Sequence, residues 1–158
     1  MTSRTDGKHR TLSAEPVVNF LRLMFVTIAF FVVTTAMAAS DVHIKVYQDP
    51  NCGCCGAWVE YMRAEGFEVQ AIKTSNVNAY KAQYGVPPKL SSCHTAVVEE
   101  TGQVIEGHVP ANAVRKMLTD PSVKGVSAPG MPMNSPGMGE MDGNLVTVDF
   151  QGRAFSRD

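Results

Sequence analysis

Three thiols within four residues constrain this chain more than any other feature. Cys52, Cys54 and Cys55 form the run Cys52-Gly53-Cys54-Cys55-Gly56, and the run separates two segments of different period. Before it, Val42, Ile44 and Val46 alternate with His43, Lys45 and Tyr47, the period of a half-buried strand. Asp49-Pro50-Asn51 then breaks the strand. After it, Ala57 to Glu65 reads as a helix with Trp58, Val59 and Met62 on one face, a face that Cys55 shares. Gly66 suits the C-terminal cap. A cysteine loop at this junction places its thiols at a helix N-terminus. Unpaired backbone N–H groups and the helix dipole lower a thiol pKa there.

The rest of the chain continues the alternation. Phe67, Val69 and Ala71 predict a second strand, and Asn76 to Tyr84 a short helix with Val77, Tyr80 and Tyr84 inward. Gly85 stops this helix and Val86-Pro87-Pro88 is extended. Thr95–Val98 and Gln103–Glu106 predict a hairpin around Glu99-Glu100-Thr101-Gly102. Pro110 takes the first position of a last helix, whose Val114, Met117 and Leu118 face inward. The stretch 125–143, rich in Pro, Gly and Met, predicts an irregular loop, and Leu145–Phe150 with Ala154-Phe155 a terminal hairpin. The predicted class is α/β: a thioredoxin-like central mixed sheet with flanking helices, plus the Met/Pro/Gly-rich loop and the C-terminal hairpin. That order would bring the segment entering the third strand, Ser92-Cys93-His94-Thr95, beside the cysteine loop.

The N-terminus reads as separate. Lys8, Arg10 and Arg22 precede an apolar run from Leu23 to Val33, and Ala36-Met37-Ala38 has the small-residue pattern of a cleavage site. Residues 1–38 are therefore expected to be a secretory signal peptide, with membrane contact only through that segment if it stays uncleaved, and residues 39–158 the domain. The apolar run is shorter than the roughly 20 residues of a spanning helix. The expected location is the periplasm. The 158-residue chain has a formal net charge of −1 and a pI near 6.4. It thus lacks the basic excess of a nucleic-acid binder.

The four cysteines admit four readings. Structural disulfides are the default for an exported domain, but adjacent Cys54 and Cys55 pair poorly with each other, and three thiols in one loop do little to staple distant segments. Thiol–disulfide exchange has its Cys-x-x-Cys pair in Cys52 and Cys55, with Cys54 as an unhelpful third thiol. Structural zinc generally uses two separated knuckles, and one is present. Cu(I) is soft and favours thiolate and thioether donors. Three thiolates on one loop with Cys93 nearby can bridge several such ions, and the ligands must be deprotonated to do so. His94, next to Cys93, is a candidate ligand, and His108, after Gly107, a weaker one. His43 falls on the polar side of its strand. Met131, Met133, Met138 and Met141 crowd the irregular loop. Such residues serve first as adaptable core cover, and the alternative is that they act as Cu(I) ligands. Met131 and Met138, each following a glycine, are the candidates of second rank.

Together, Asp49-Pro50-Asn51-Cys52-Gly53-Cys54-Cys55-Gly56-Ala57-Trp58, Ser92-Cys93-His94-Thr95, Glu106-Gly107-His108-Val109-Pro110 and Pro129-Gly130-Met131-Pro132 resemble the CopG-type copper-resistance family, bacterial proteins long grouped as a domain of unknown function. The resemblance spans about Val42 to Phe155. It implies an exported thioredoxin-like protein that binds copper through Cys52, Cys54, Cys55, Cys93 and His94. The implied role is copper handling rather than a catalytic step. A separate reading of the chain is a binding or chaperone module that passes copper to an efflux system, with copper efflux or chaperone proteins as partners. Redox activity at a copper or dithiol site stays open, and the alternative is a thiol–disulfide oxidoreductase using Cys52 and Cys55. Where thioredoxins carry a proline just before the third strand's threonine, this chain has His94.

Overall fold

The computed structural model describes residues 42–158; the expected signal peptide lies outside the described residues. Seven strands form one mixed sheet with three α-helices against it. In chain order these are β1 (His43–Gln48), α1 (Gly53–Ala64), β2 (Glu68–Lys73), α2 (Val77–Gln83), β3 (His94–Val98), β4 (Val104–Glu106), α3 (Ala111–Leu118), β5 (Gly125–Ser127), β6 (Val146–Asp149) and β7 (Ala154–Arg157). The strands lie in the order β2-β1-β3-β4-β5-β6-β7. β1 runs parallel to β2 and β4 parallel to β5, and the other neighbours are antiparallel.

Alternation along the strands assigns each side chain to a face. Ile44 and Val46 of β1, Ala96 and Val98 of β3, and Ile105 of β4 join Trp58, Val59 and Met62 of α1 and Val114 and Met117 of α3 in the main core. The opposite face carries α2, where Tyr80 stacks on Tyr47 of β1 with ring centroids 3.8 Å apart. The core forms because the three-to-four spacing of apolar residues on α1 and α3 gives each helix one dry stripe. Trp58 also satisfies its indole by donating from Nε1 to the Val109 carbonyl at 2.9 Å. Tyr61 Oη accepts from Ala111 N at 3.1 Å, so α1 sets where α3 begins.

Several elements differ from the sequence expectation. The first helix begins earlier than Ala57, at Gly53, so the cysteine loop is the helix's first turn. Pro110 is the N-cap of α3 rather than its first helical residue. On α2 the residue that is buried is Lys81, while Val77, Tyr80 and Tyr84 are half-buried; the helix turns a cation inward because a buried carboxylate awaits it. The 125–143 stretch is not wholly irregular. Gly125–Ser127 adds β5 alongside β4, too short a run for period-2 alternation to reveal. Gly125 stands where a Cβ would come within 2.6 Å of the Phe150 ring.

Beyond β5, the Met-bearing loop is fastened to the rest of the domain by its backbone. Ser92 pairs with Gly130 as an isolated parallel bridge, and Gly130 N donates to the Ser91 carbonyl at 3.3 Å. Gly137, at φ +80, lies so close to α1 that a Cβ would sit 2.7 Å from Trp58 N and 2.9 Å from the Cys54 carbonyl oxygen. At Gly130, φ is +71 but the space around it is open. Close approach thus holds for the glycine before Met138 and not for the one before Met131. Replacing Gly137 by Ala meets both a left-handed backbone and helix backbone. The expected cost is about 1–3 kcal/mol, read from the urea midpoint; an unchanged midpoint would mean that the loop does not press on the helix.

Candidate metal centre

The topology explains why distant thiols meet. β1 and β3 are antiparallel neighbours, with Gln48 opposite His94. The end of β1, which feeds the cysteine turn, therefore lies beside the start of β3, which follows Cys93. The sulfurs of Cys52, Cys54, Cys55 and Cys93 all lie within 4.8 Å of one another. Cys52 and Cys55 are joined as a disulfide, and Cys54 and Cys93 are free thiols. Cys52 Sγ and Cys54 Sγ are 3.5 Å apart.

The start of α1 is electrostatically ready for anions. Its N-cap is Cys52, which makes no side-chain cap hydrogen bond, and its first turn holds no acidic residue. The opening N–H groups and the positive end of the dipole thus face the sulfurs themselves.

A second group overlaps the first. One ligand atom each from Cys55, Cys93, His94 and His108 fall within 4.8 Å of one another. His94 and His108 are both fully buried, with 0% exposure. Alternation turns His94 onto the core face of β3, where its ring lies 4.5 Å from the Trp58 ring and 5.1 Å from that of His108. Its Nδ1 is 3.5 Å from Cys93 Sγ, and its buried Nε2 has no hydrogen-bond partner among the described residues. Burial, then the neighbouring His108 and Lys81, hold this imidazole well below the ordinary histidine pKa.

His108 is fixed more firmly. Its Nδ1 donates to the Pro136 carbonyl at 2.6 Å. That bond assigns the proton to Nδ1 and leaves the Nε2 lone pair toward Cys93 Sγ, 3.0 Å away. Burial lowers the pKa of His108 too. Burial, reinforced by the Cys54 sulfur, pushes the Cys93 thiol up to about 11. Cys93 is therefore a thiol donating to His108 at neutral pH. Two neutral imidazoles beside packed sulfurs, one with an orphaned nitrogen, are a donor set that fits a soft cation.

On the opposite face of the sheet an ion pair holds the Cys93 segment in place. Lys81 Nζ lies 2.5 Å from Glu106 Oε1, and Glu106 is 0% exposed. Thr95 Oγ1 donates to Glu106 Oε2 at 2.7 Å and accepts from Lys81 Nζ at 3.1 Å. Ser92 N donates to Glu106 Oε1 at 2.6 Å. Ser92 and Thr95 bracket Cys93 and His94, so one carboxylate ties down both ends of the ligand-bearing segment. Gly107, at φ +73, leaves the room that Ser92 occupies; a Cβ there would collide with Ser92 Oγ and come within 2.9 Å of the Ala128 carbonyl oxygen.

The structure thus brings together Cys52, Cys54, Cys55, Cys93 and His94, and adds His108 on equal terms. The Gly107-His108 pair was the available signal, since that glycine turns the chain beside Ser92 and His94. Of the methionines, Met138 is half-buried, and Met131 is 57% exposed. His43 is exposed and pairs with Glu100 at 2.6 Å. Lys81 and Glu106 escaped the sequence reading. Their signal was a lysine four residues after Val77 on one helix face, and a glutamate closing the apolar run Val104-Ile105.

Comparison with known proteins gives a consistent picture. Two solved structures of copper resistance protein CopG, Form 1 and Form 2, each superpose with a TM-score of 0.65 at 35% sequence identity. Each alignment covers 75% of this chain and 98% of the other. A family described as a protein of unknown function, DUF411, matches residues 90–138. No curated sequence matches significantly.

Two outcomes test this geometry in the metal-free protein. Lys81→Ala leaves Glu106 buried without its cation and is expected to cost about 3–5 kcal/mol in denaturant unfolding. A loss below about 1 kcal/mol would show that the pair is not structural. The second concerns acid. His94 and His108 stay neutral when folded but titrate near the ordinary value of 6.5 when unfolded. Below that pH the unfolded chain takes up protons that the folded chain refuses. Stability should therefore fall as pH drops from 7 toward the depressed folded-state pKa values, by up to about 1.4 kcal/mol per unit for each imidazole. Urea midpoints measured from pH 7.5 to 5.5 should show this slope, and His94→Phe should reduce it.

Proposed function

The chain belongs to the CopG-type copper-resistance family, and from that premise we propose that it is an exported copper-binding protein whose cargo is Cu(I). Cys52, Cys54, Cys55 and Cys93 are the sulfur ligands, and His94 and His108 complete the set. The observation that carries this reading is the convergence of four sulfurs and two neutral imidazoles within 4.8 Å in two overlapping groups. Such a density of soft donors suits a small cluster of ions better than a single tetrahedral one. The element order β-α-β-α-β-β-α supports a thioredoxin-like reading of the first part of the sheet. Among the described residues no helix is long and apolar enough to cross a membrane. The periplasm is the proposed location, reached through the segment 1–38, and copper efflux or chaperone proteins are the proposed partners. Met131 and Met138 are proposed as auxiliary thioether ligands, carried on the loop that Gly130 and Pro136 tie to the site.

Copper binding requires the reduced form, because the Cys52–Cys55 disulfide withholds two thiolates. Binding also displaces the Cys93 proton, so affinity should rise with pH. The test is anaerobic Cu(I) titration of the reduced residue 39–158 protein against a competing chelator. More than one ion per chain is expected, and Cys54→Ser or Cys93→Ser should weaken binding at least about tenfold. Protein that takes up no Cu(I) would end the proposal.

A second reading rests on the same disulfide: Cys52 and Cys55 as a dithiol exchange pair. Insulin reduction that survives Cys54→Ser and disappears with Cys52→Ser would favour it over copper binding.

A further inference from the structure

Beside the cysteine turn, on the side away from His94 and His108, lies an open cleft of about 400 Å³. That volume falls in the range of small-ligand sites, roughly 300–1,000 Å³. Gln48, Asn51, Cys52, Glu60, Arg63 and Lys73 contribute to its wall. Cys52 lines it, whereas Cys55 is 0% exposed and does not. Any reagent that attacks the disulfide from this cleft therefore reaches the Cys52 sulfur.

Two features of the wall point to a ligand. Gln48 is 4% exposed, yet its Oε1 is buried with no hydrogen-bond partner among the described residues. A buried acceptor is costly to leave unmade, and a turn of the Gln48 side chain toward the cleft would bring this oxygen within reach of a ligand amide N–H. The second feature is charge. Arg63 is spent: its Nη1 lies 2.7 Å from Glu60 Oε1 and its Nη2 donates to the Val69 carbonyl at 2.7 Å. Lys73 has no acidic partner among the described residues, so the cleft keeps one uncompensated positive charge.

We propose that this cleft binds a small, carboxylate-bearing thiol peptide, which reduces the Cys52–Cys55 disulfide and so opens the copper site. The ligand's thiol gives its proton to solvent, and the thiolate forms a bond to Cys52 Sγ. The Cys52–Cys55 bond breaks, and its electron pair stays on Cys55 as a thiolate at the start of α1, where the dipole steadies it. A second thiolate of the same class then attacks the ligand sulfur of the mixed disulfide. It releases Cys52 as a thiolate and leaves as the oxidised ligand dimer. Two thiols thus supply the two electrons that the protein disulfide takes up. The importance of this step rests on the copper-binding reading, since only the reduced site presents all four sulfurs, but its chemistry does not require copper.

The test uses the oxidised residue 39–158 protein and three probes: glutathione, the neutral 2-mercaptoethanol and the cationic cysteamine, compared at equal thiolate concentration. The glutathione rate is expected to saturate and to exceed the others. Lys73→Glu should slow it about fivefold, the effect of a lost exposed ion pair, and leave 2-mercaptoethanol unchanged. Gln48→Leu should raise the half-saturating glutathione concentration. Peptide mass mapping of the trapped intermediate should find glutathione on Cys52. Rates that are linear and equal for all three thiols, or glutathione attached to Cys55, would overturn the proposal. Chemically reduced Lys73→Glu protein should take up Cu(I) like the wild type; a loss there would place Lys73 in the metal site and overturn the assignment. If reduced wild-type protein binds no Cu(I), the copper reading fails, while the thiol rates still decide the cleft.

Discussion

A single carboxylate on one face of the sheet governs the chemistry on the other. Glu106 is sealed from water, neutralised by Lys81 of α2, and holds the backbone of Ser92 and the hydroxyl of Thr95. A buried ion pair contributes little net stability when its desolvation is counted. Its value here is positional. The two residues it grips flank Cys93 and His94, and successive residues of a strand point to opposite faces. Holding Thr95 toward α2 therefore holds His94 toward α1. The placement of the ligands follows from a polar network centred on the other face of the sheet.

The second constraint is the register of β1 against β3. With Gln48 opposite His94, the turn leaving β1 and the turn entering β3 lie side by side. A slip of one residue would send His94 to the α2 face and Thr95 into the core. The register is guarded by the apolar alternation of Ile44, Val46, Ala96 and Val98, so the hydrophobic core and the thiol cluster are specified together. The helix that follows adds its uncapped N-terminus, whose unpaired N–H groups face the turn that carries three of the sulfurs.

Much of this was legible from residue order. The strand, cysteine turn and helix are adjacent in sequence, so local patterning sufficed to place Cys55 with Trp58, Val59 and Met62. The approach of Cys93 followed from the order of elements. What stayed hidden depended on partners far apart in the chain. Lys81 drew no expectation, because a helical pattern cannot say which lysine meets a carboxylate from another element. β5 escaped because three residues carry too little alternation. His108 looked peripheral because its position depends on the left-handed turn at Gly107 and on a carbonyl in the Met-bearing loop. The Cys52–Cys55 bond was one of several pairings that spacing allowed.

The loop over the site is held by main-chain groups: the Gly130 amide and carbonyl, the Pro136 carbonyl, and the bare Cα of Gly137 against α1. None of these attachments uses a methionine side chain. Met131, Met133 and Met141 are exposed and can be exchanged without loosening the frame that carries them. Scaffold and payload are thus separately tunable: the number and kind of side chains displayed at the rim can drift between relatives, or be rewritten by design, while the covering loop keeps its shape.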